Sequence, residues 1–127
     1  MVRVLLCDDA VSFSVLFGHW MRQCEGVQVV ATTDTPEEAV SLAGVHQADV
    51  IVLDHMLRSV TSDALVPQLR AASPASKILL ISAMSDEDLA AVAAVSRVDG
   101  CMSKTSTAEE ICLRVRSIAG LDTDLPR

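Results

Sequence analysis

Four apolar runs in this chain each end at polar residues that could serve one reaction. Val2 to Cys7 runs into Asp8-Asp9, Val50 to Leu53 into Asp54, Lys77 to Ile81 into Ser82, and Val98 to Met102 into Ser103-Lys104. Three carboxylates, a hydroxyl and an ammonium, if they converge, suit the binding of a divalent cation and the acceptance of a phosphoryl group. Mg²⁺ takes a few carboxylate and carbonyl oxygens and keeps several waters. It would also relieve the repulsion among crowded carboxylates, leaving one of them to act as nucleophile on phosphorus and form an acyl phosphate. The ammonium and the hydroxyl would then stabilise the phosphoryl oxygens. Each residue alone has a plainer explanation. An Asp or Ser after a strand is often a turn former or a helix cap, and a single Lys is usually a solvated charge. The weight lies in the coincidence of suitable types at successive run ends.

Those run ends must share one edge for the chemistry to work. Short apolar runs alternate with helical patterns, the rhythm of βα repeats. The pattern predicts strands near residues 2–7, 27–31, 49–53, 77–81 and 98–102, and helices near 11–24, 36–46, 62–72, 86–95 and 108–119. Right-handed crossovers leave few topologies for such a chain. The expected fold is α/β, a flavodoxin-like, doubly wound five-stranded parallel sheet of order 2-1-3-4-5 with five helices. That order sets Asp8-Asp9, Asp54, Ser82 and Lys104 along one carboxyl edge, where ligands bind in open α/β sheets.

Local signals mark the helices. Thr35-Pro36-Glu37-Glu38 offers an N-cap, a first-turn proline and a capping-box Glu. Ser85-Asp86-Glu87-Asp88 and Thr107-Ala108-Glu109-Glu110 repeat the logic with acids at the positive end of the helix dipole, a sufficient structural reason for those acids. Phe13, Leu16, Phe17, Trp20, Met21 and Cys24 fall at the spacing of one buried helix face, so Trp20 reads as core rather than as a binding platform. Residues 1–120 form one domain, Gly120 closes the last helix, and 121–127 read as a tail or the start of a linker.

Composition narrows the function. Half the residues are apolar but only Phe13, Phe17 and Trp20 are aromatic, so the core is aliphatic. A formal net charge of -7 argues against a direct grip on nucleic acid or an anionic membrane. No signal peptide or membrane span is apparent. Cys7, Cys24, Cys101 and Cys112 lack metal or redox spacing and read as reduced thiols, mostly buried, of a cytoplasmic protein; a redox switch or metal site is the alternative.

The pieces VLLCDD, ADVIVLD, ILLISA and DGCMSK together resemble a response-regulator receiver domain of two-component signalling, over essentially the whole chain. GVQVVATTDTPEEAV and SKTSTAEEICLRVRSIAG are most similar to the NarL/LuxR-type subgroup. The resemblance implies that Asp54 is the phosphoacceptor, that Asp8 and Asp9 bind Mg²⁺ with Asp54 and the backbone carbonyl of Met56, that Ser82 is the switch hydroxyl, and that Lys104 binds the phosphoryl group. It implies phosphotransfer from a sensor histidine kinase, a phosphotransfer protein or a small phosphodonor, with no turnover beyond the domain's own phosphorylation and dephosphorylation. Output would pass through protein contacts or a separate domain, such as a DNA-binding transcription regulator; a homodimer is left open. Three places depart from the family, one of them the usual glycine of the loop after Asp54, roughly where Ser62 stands. Arg58 replaces its usual proline in the loop after Asp54, and Cys101 replaces the aromatic that usually follows the switch hydroxyl. Two rival readings remain: a pseudo-receiver acting through contacts alone, and a Mg²⁺-dependent phosphatase with an Asp nucleophile. The second lacks its usual acid in Asp54-His55-Met56 and any segment long enough for a substrate cap.

Overall fold

The computed structural model describes residues 1–120. Five parallel strands, β1 (Val2–Cys7), β2 (Val27–Thr33), β3 (Val50–Asp54), β6 (Lys77–Ser82) and β7 (Gly100–Ser103), form a sheet of order β2-β1-β3-β6-β7. This is the order expected from the sequence. Between β3 and β6 lies a feature the sequence reading lacked, an antiparallel pair of two-residue strands, β4 (Met56–Leu57) and β5 (Val60–Thr61). The helices are α1 (Val11–Arg22), α2 (Pro36–His46), α3 (Ser62–Ala72), α4 (Asp86–Ser96) and α5 (Ala108–Ile118).

The uninterrupted apolar runs are explained by two covered faces. Successive strand residues point to opposite sides, so Val4, Leu6, Val50, Val52, Leu79 and Ile81 meet α1 and α5 through Phe13, Phe17, Met21, Ile111 and Val115. Leu5, Cys7, Ile51, Leu53 and Ile78 enter the other core with Ala39 and Ala43 of α2 and Leu65 and Leu69 of α3. Strands buried on both faces need no polar alternation.

The caps form with one change. Thr35 and Ser85 accept from the N–H groups of Glu38 and Asp88, and Thr107 with Glu110 closes a full capping box. Glu38 does not complete the box at Thr35; its carboxylate takes the hydroxyl of Thr33 at 2.6 Å instead. On α1, Leu16 is 47 % exposed and leaves the predicted buried face, because it stands about 100° around the helix from Phe17, at the margin of the arc that Phe13, Phe17 and Met21 bury. Trp20 packs partly buried against the core, as expected.

The cysteine reading needs a larger correction. Cys24 and Cys112 are joined in a disulfide, with Cα atoms 5.8 Å apart across 88 residues of sequence. The end of α1 and the middle of α5 share one sheet face, which brings together thiols that sequence spacing separates. Cys7 and Cys101 are free. Burial, then the charge of Asp8, pushes the Cys7 thiol up to about 12, so it stays protonated and inert.

The residues predicted as a tail, 121–127, lie outside those described. Among the described residues no helix is long and apolar enough to cross a membrane.

Candidate phosphoryl-acceptor site

The carboxyl edge of the sheet collects the acids. Asp8 follows β1 and is almost fully buried, and its backbone N–H donates to the Thr33 carbonyl of the neighbouring strand at 3.0 Å. Its Oδ1 accepts from the Ala10 N–H at 2.7 Å, a turn that starts α1 in place of a side-chain cap. Asp54 ends β3 opposite Ile81 in register. Oxygens of Asp8, Asp9 and Asp54 lie within 4.8 Å of one another. Mutual repulsion at such a distance is costly unless cations answer it.

One answer is Lys104. Its Nζ lies 2.7 Å from Asp8 Oδ2 and 3.4 Å from Asp54 Oδ2, with the Lys side chain only 16 % exposed. Asp8 Oδ2 has no well-directed hydrogen-bond donor despite that short contact, so the pairing is chiefly Coulombic. Lys104 is fixed at its backbone as well as at its ammonium. The Lys104 N–H donates to the Ser82 carbonyl at 2.8 Å, and the turn is fixed by the Thr105 N–H donating to Ser103 Oγ at 3.0 Å. Nζ also stands 4.8 Å from the centroid of the Phe13 ring. That ring is braced by Phe17 at 6.0 Å and Trp20 at 6.1 Å, so the three aromatics of the chain form one cluster ending at the site.

The acids and Lys104 therefore come together as the sequence predicted. Ser82 stands beside them at the end of β6, its hydroxyl accepting from the Met84 N–H at 3.3 Å. Met56 lies on β4, two residues past Asp54, with its side chain exposed. Cys101 is half-buried on β7, and its carbonyl accepts from Arg114 at 3.0 Å.

Sequence reasoning missed three participants. Arg58 and Ser59 form the turn of the β4–β5 hairpin, both in the left-handed region at φ 51° and 70°. Neither is a Gly or Asn, the residues that usually fill such turns, so outside contacts must hold the strained backbone. The Arg58 guanidinium pairs with Asp34 Oδ2 at 2.6 Å, and the Arg58 backbone N–H donates to Asp9 Oδ2 at 3.1 Å. His55 is the second. Its Nδ1 is 2.8 Å from Ser62 Oγ, which is 2.7 Å from Ser96 Oγ at the end of α4. Phe13 is the third; its helical spacing predicted burial but could not show the ammonium above it.

The ordinary value for Asp54 is 3.8, and its carboxyl is raised above that, first by burial, then by Asp8; Lys104 works in the opposite direction. A raised native pKa means the folded state holds the proton more tightly than the unfolded chain. The resulting destabilisation is absent below the unfolded pKa and develops as pH rises through the native one. Asp54→Asn is thus expected to raise the melting temperature at neutral pH without divalent cations. The gain should shrink as the pH is lowered towards 4, within the range where an unfolded Asp titrates. Equal melts at pH 7 would contradict a charged, crowded Asp54.

An open parallel α/β sheet with clustered acids and a lysine at its carboxyl edge defines a class of site, and the comparisons name it. The family model of the response regulator receiver domain matches residues 4–116. The chain belongs to that family, the receiver domains of two-component systems. It is similar to the transcriptional regulatory protein MalR of Bacillus subtilis, 28 % identical over 89 residues, covering 70 % of this chain and 38 % of MalR. The chain thus spans well under half of that relative. The signal receiver domain of NarL from Mycobacterium tuberculosis superposes with a TM-score of 0.84 at 26 % identity, covering 94 % of this chain and 96 % of that one. The receiver domain of the sensor histidine kinase PA1611 from Pseudomonas aeruginosa, with a magnesium ion coordinated in its active site cleft, shares the fold. Its TM-score is 0.81 at 16 % identity, covering 94 % of this chain and 98 % of that one.

Proposed function

We propose that Asp54 accepts a phosphoryl group from a histidine kinase, a phosphotransfer protein or a small phosphodonor, and that the domain signals through the resulting change in its contacts. The observation that carries this reading is the Lys104 ammonium set between Asp8 and Asp54, beside three clustered carboxylates. A half-buried carboxylate that is costly to keep charged is a ready nucleophile. Its oxygen attacks phosphorus as the bond to the donor's leaving group breaks. Lys104 receives the phosphoryl charge without moving far, and the Ser82 hydroxyl keeps its proton to donate, since its oxygen already accepts from Met84.

The donor set fits Mg²⁺: hard oxygens only, and one of them, Asp8 Oδ2, buried without a directed donor. Asp8, Asp9, Asp54 and the Met56 carbonyl are the residues that would hold it. When bound, the ion supplies charge neutralisation for the acids and the phosphoryl oxygens. Support comes also from the magnesium in the PA1611 receiver cleft. Asp9→Ala is expected to weaken Mg²⁺ binding at least roughly tenfold, because an all-oxygen shell with few protein ligands loses one of them. Titration followed by Trp20 fluorescence or calorimetry checks this. Unchanged affinity in the Asp8→Ala, Asp9→Ala double variant would put the metal elsewhere.

A protein donor has a surface to meet. Beside the acids opens a cavity of about 360 Å³ lined by Asp8, Val11, Ser14, Val15 and Asp34. Val11 and Val15 are largely exposed. An apolar rim next to an acidic site suits a helical partner presenting a phosphohistidine. Output through an attached domain is in keeping with relatives that regulate transcription.

Ser82 also directs the expected movement. Drawing its hydroxyl towards Asp54 draws on the Met84 N–H as well, so Ala83, Met84 and the start of α4 should move most. Cys101, small where an aromatic usually stands, has little bulk to follow. Amide NMR of the free and beryllofluoride-bound forms tests this; large changes centred on Cys101 and β7 with a still Met84 would contradict it. The primary test of the function is intact mass after incubation with acetyl phosphate and Mg²⁺. One added phosphoryl group supports the reading, and none would favour a receiver acting by contacts alone.

A further inference from the structure

The Cys24–Cys112 bond ties the segment after α1 to the middle of α5, and neither sulfur has a part in the phosphoryl chemistry. Cys24 follows the last turn of α1 and is 5 % exposed, whereas Cys112 on α5 is only partly buried. Both sulfur-bearing residues line an open cavity of about 320 Å³ with Trp20, Gln23, Glu109 and Leu113. We propose that this cavity is a thiol–disulfide exchange site for a small-molecule thiol, with Cys112 as the sulfur that exchanges and Cys24 as its buried partner.

Three features of the seam carry the inference. The first is asymmetry of access. Exchange needs an incoming thiolate to reach one sulfur; both cysteines line the cavity, and Cys112 is the more exposed residue of the two. The second is room. A cavity of about 320 Å³ lies at the lower end of the size of small-molecule sites, too small to admit a folded protein but adequate for a short thiol peptide. The third is that α5 does not depend on the bond for its place. Ile111 and Val115 are buried in the same core as Phe17 and Met21, and Arg116 donates to the Glu25 carbonyl across the same seam. The helix is therefore held in both redox states, as a reversible bond requires.

A small thiolate attacks Cys112 Sγ, and the bond to Cys24 Sγ breaks with the electron pair going to Cys24, which takes up a proton. The mixed disulfide on Cys112 is then attacked at the small-molecule sulfur by a second thiolate. Cys112 leaves as a thiol, and the small molecule leaves as its own disulfide. Two small thiols are oxidised and the protein disulfide is reduced; the reverse sequence restores it.

Glutathione and its disulfide serve as the probe, with the full chain carrying Cys101→Ser to remove the other partly accessible thiol. Across buffers from fully reduced to fully oxidised, acid-quenched and alkylated samples should show the pair passing between two and no free thiols. Trp20 fluorescence should change in step, because the indole borders the same cavity. Under oxidised glutathione, Cys24→Ser should trap one glutathione on Cys112, and Cys112→Ser should label Cys24 about tenfold more slowly or less, as follows from burial. If either variant is unfolded by circular dichroism, peptide mapping of briefly treated parent protein gives the same order of modification. A pair that remains oxidised in excess reduced glutathione would overturn the proposal. So would a first adduct on Cys24, or exchange that proceeds only with a dithiol protein such as thioredoxin.

Discussion

Asp54→Asn is expected to take up no phosphoryl group under conditions where the parent chain takes up one. An amide nitrogen or oxygen in that place is a far weaker nucleophile than a carboxylate, and it cannot form the acyl phosphate. Asp8 is a poor substitute: one oxygen is committed to the Ala10 N–H and the other faces Lys104 at 2.7 Å. Asp9 is engaged by the Arg58 N–H. Intact-mass measurement with acetyl phosphate and Mg²⁺ reads the result directly. Full labelling of the Asn variant would show that the acceptor is another residue. The same protein should melt higher than the parent at neutral pH, so a loss of labelling through misfolding is separable from a loss of the nucleophile. A companion variant, Phe13→Leu, keeps apolar volume but removes the ring face beneath Lys104. Cation–π contacts of this kind are worth about 0.5–2 kcal/mol, so labelling should slow by roughly twofold to thirtyfold with Mg²⁺ affinity unchanged. An unaltered rate would show that the ring serves the core alone.

Reducing the Cys24–Cys112 bond is expected to give the second large effect, on stability. The bond closes a loop of 88 residues, and a cross-link of that span stabilises chiefly by restricting the unfolded chain, by roughly 2–4 kcal/mol. For a domain of this size the midpoint of thermal unfolding should fall on the order of ten degrees. Denaturant unfolding of the parent with and without a reductant, beside Cys112→Ser without one, measures it. The reduced parent and the variant should agree, and both should still fold. A transition that does not move on reduction would mean that the unfolded chain gains nothing from losing the link.

Most of what positions the site was legible because it is encoded locally. A parallel strand buried on both faces must be an apolar run, and its polar terminus must lie at one edge; Cys7-Asp8, Leu53-Asp54 and Ile81-Ser82 mark those ends without reference to the rest of the chain. Thr107 and Glu110 close their own helix turn within four residues. The handedness of βα crossovers leaves a handful of topologies; the order 2-1-3-4-5 is expected as the commonest of them, and the structure's sheet has it, which carries Asp8, Asp54 and Lys104 together.

What only the tertiary structure decided involves partners far apart in sequence or backbone that local rules disfavour. Cys24 and Cys112 look like isolated thiols until α1 and α5 are laid on the same face, and the reduced state read from their spacing was wrong for that reason. The Arg58-Ser59 turn has poor residues for positive φ; it exists because Asp34 and Asp9, from two other strand ends, hold it. Leu16 falls on the rim of an apolar arc, and only the packing of α1 on the sheet decides that the arc is centred on Phe13, Phe17 and Met21. Lys104 above Phe13 joins residues from opposite ends of the chain. A contact between an ammonium and a ring face has no sequence period, because it depends on where two separate elements come to rest.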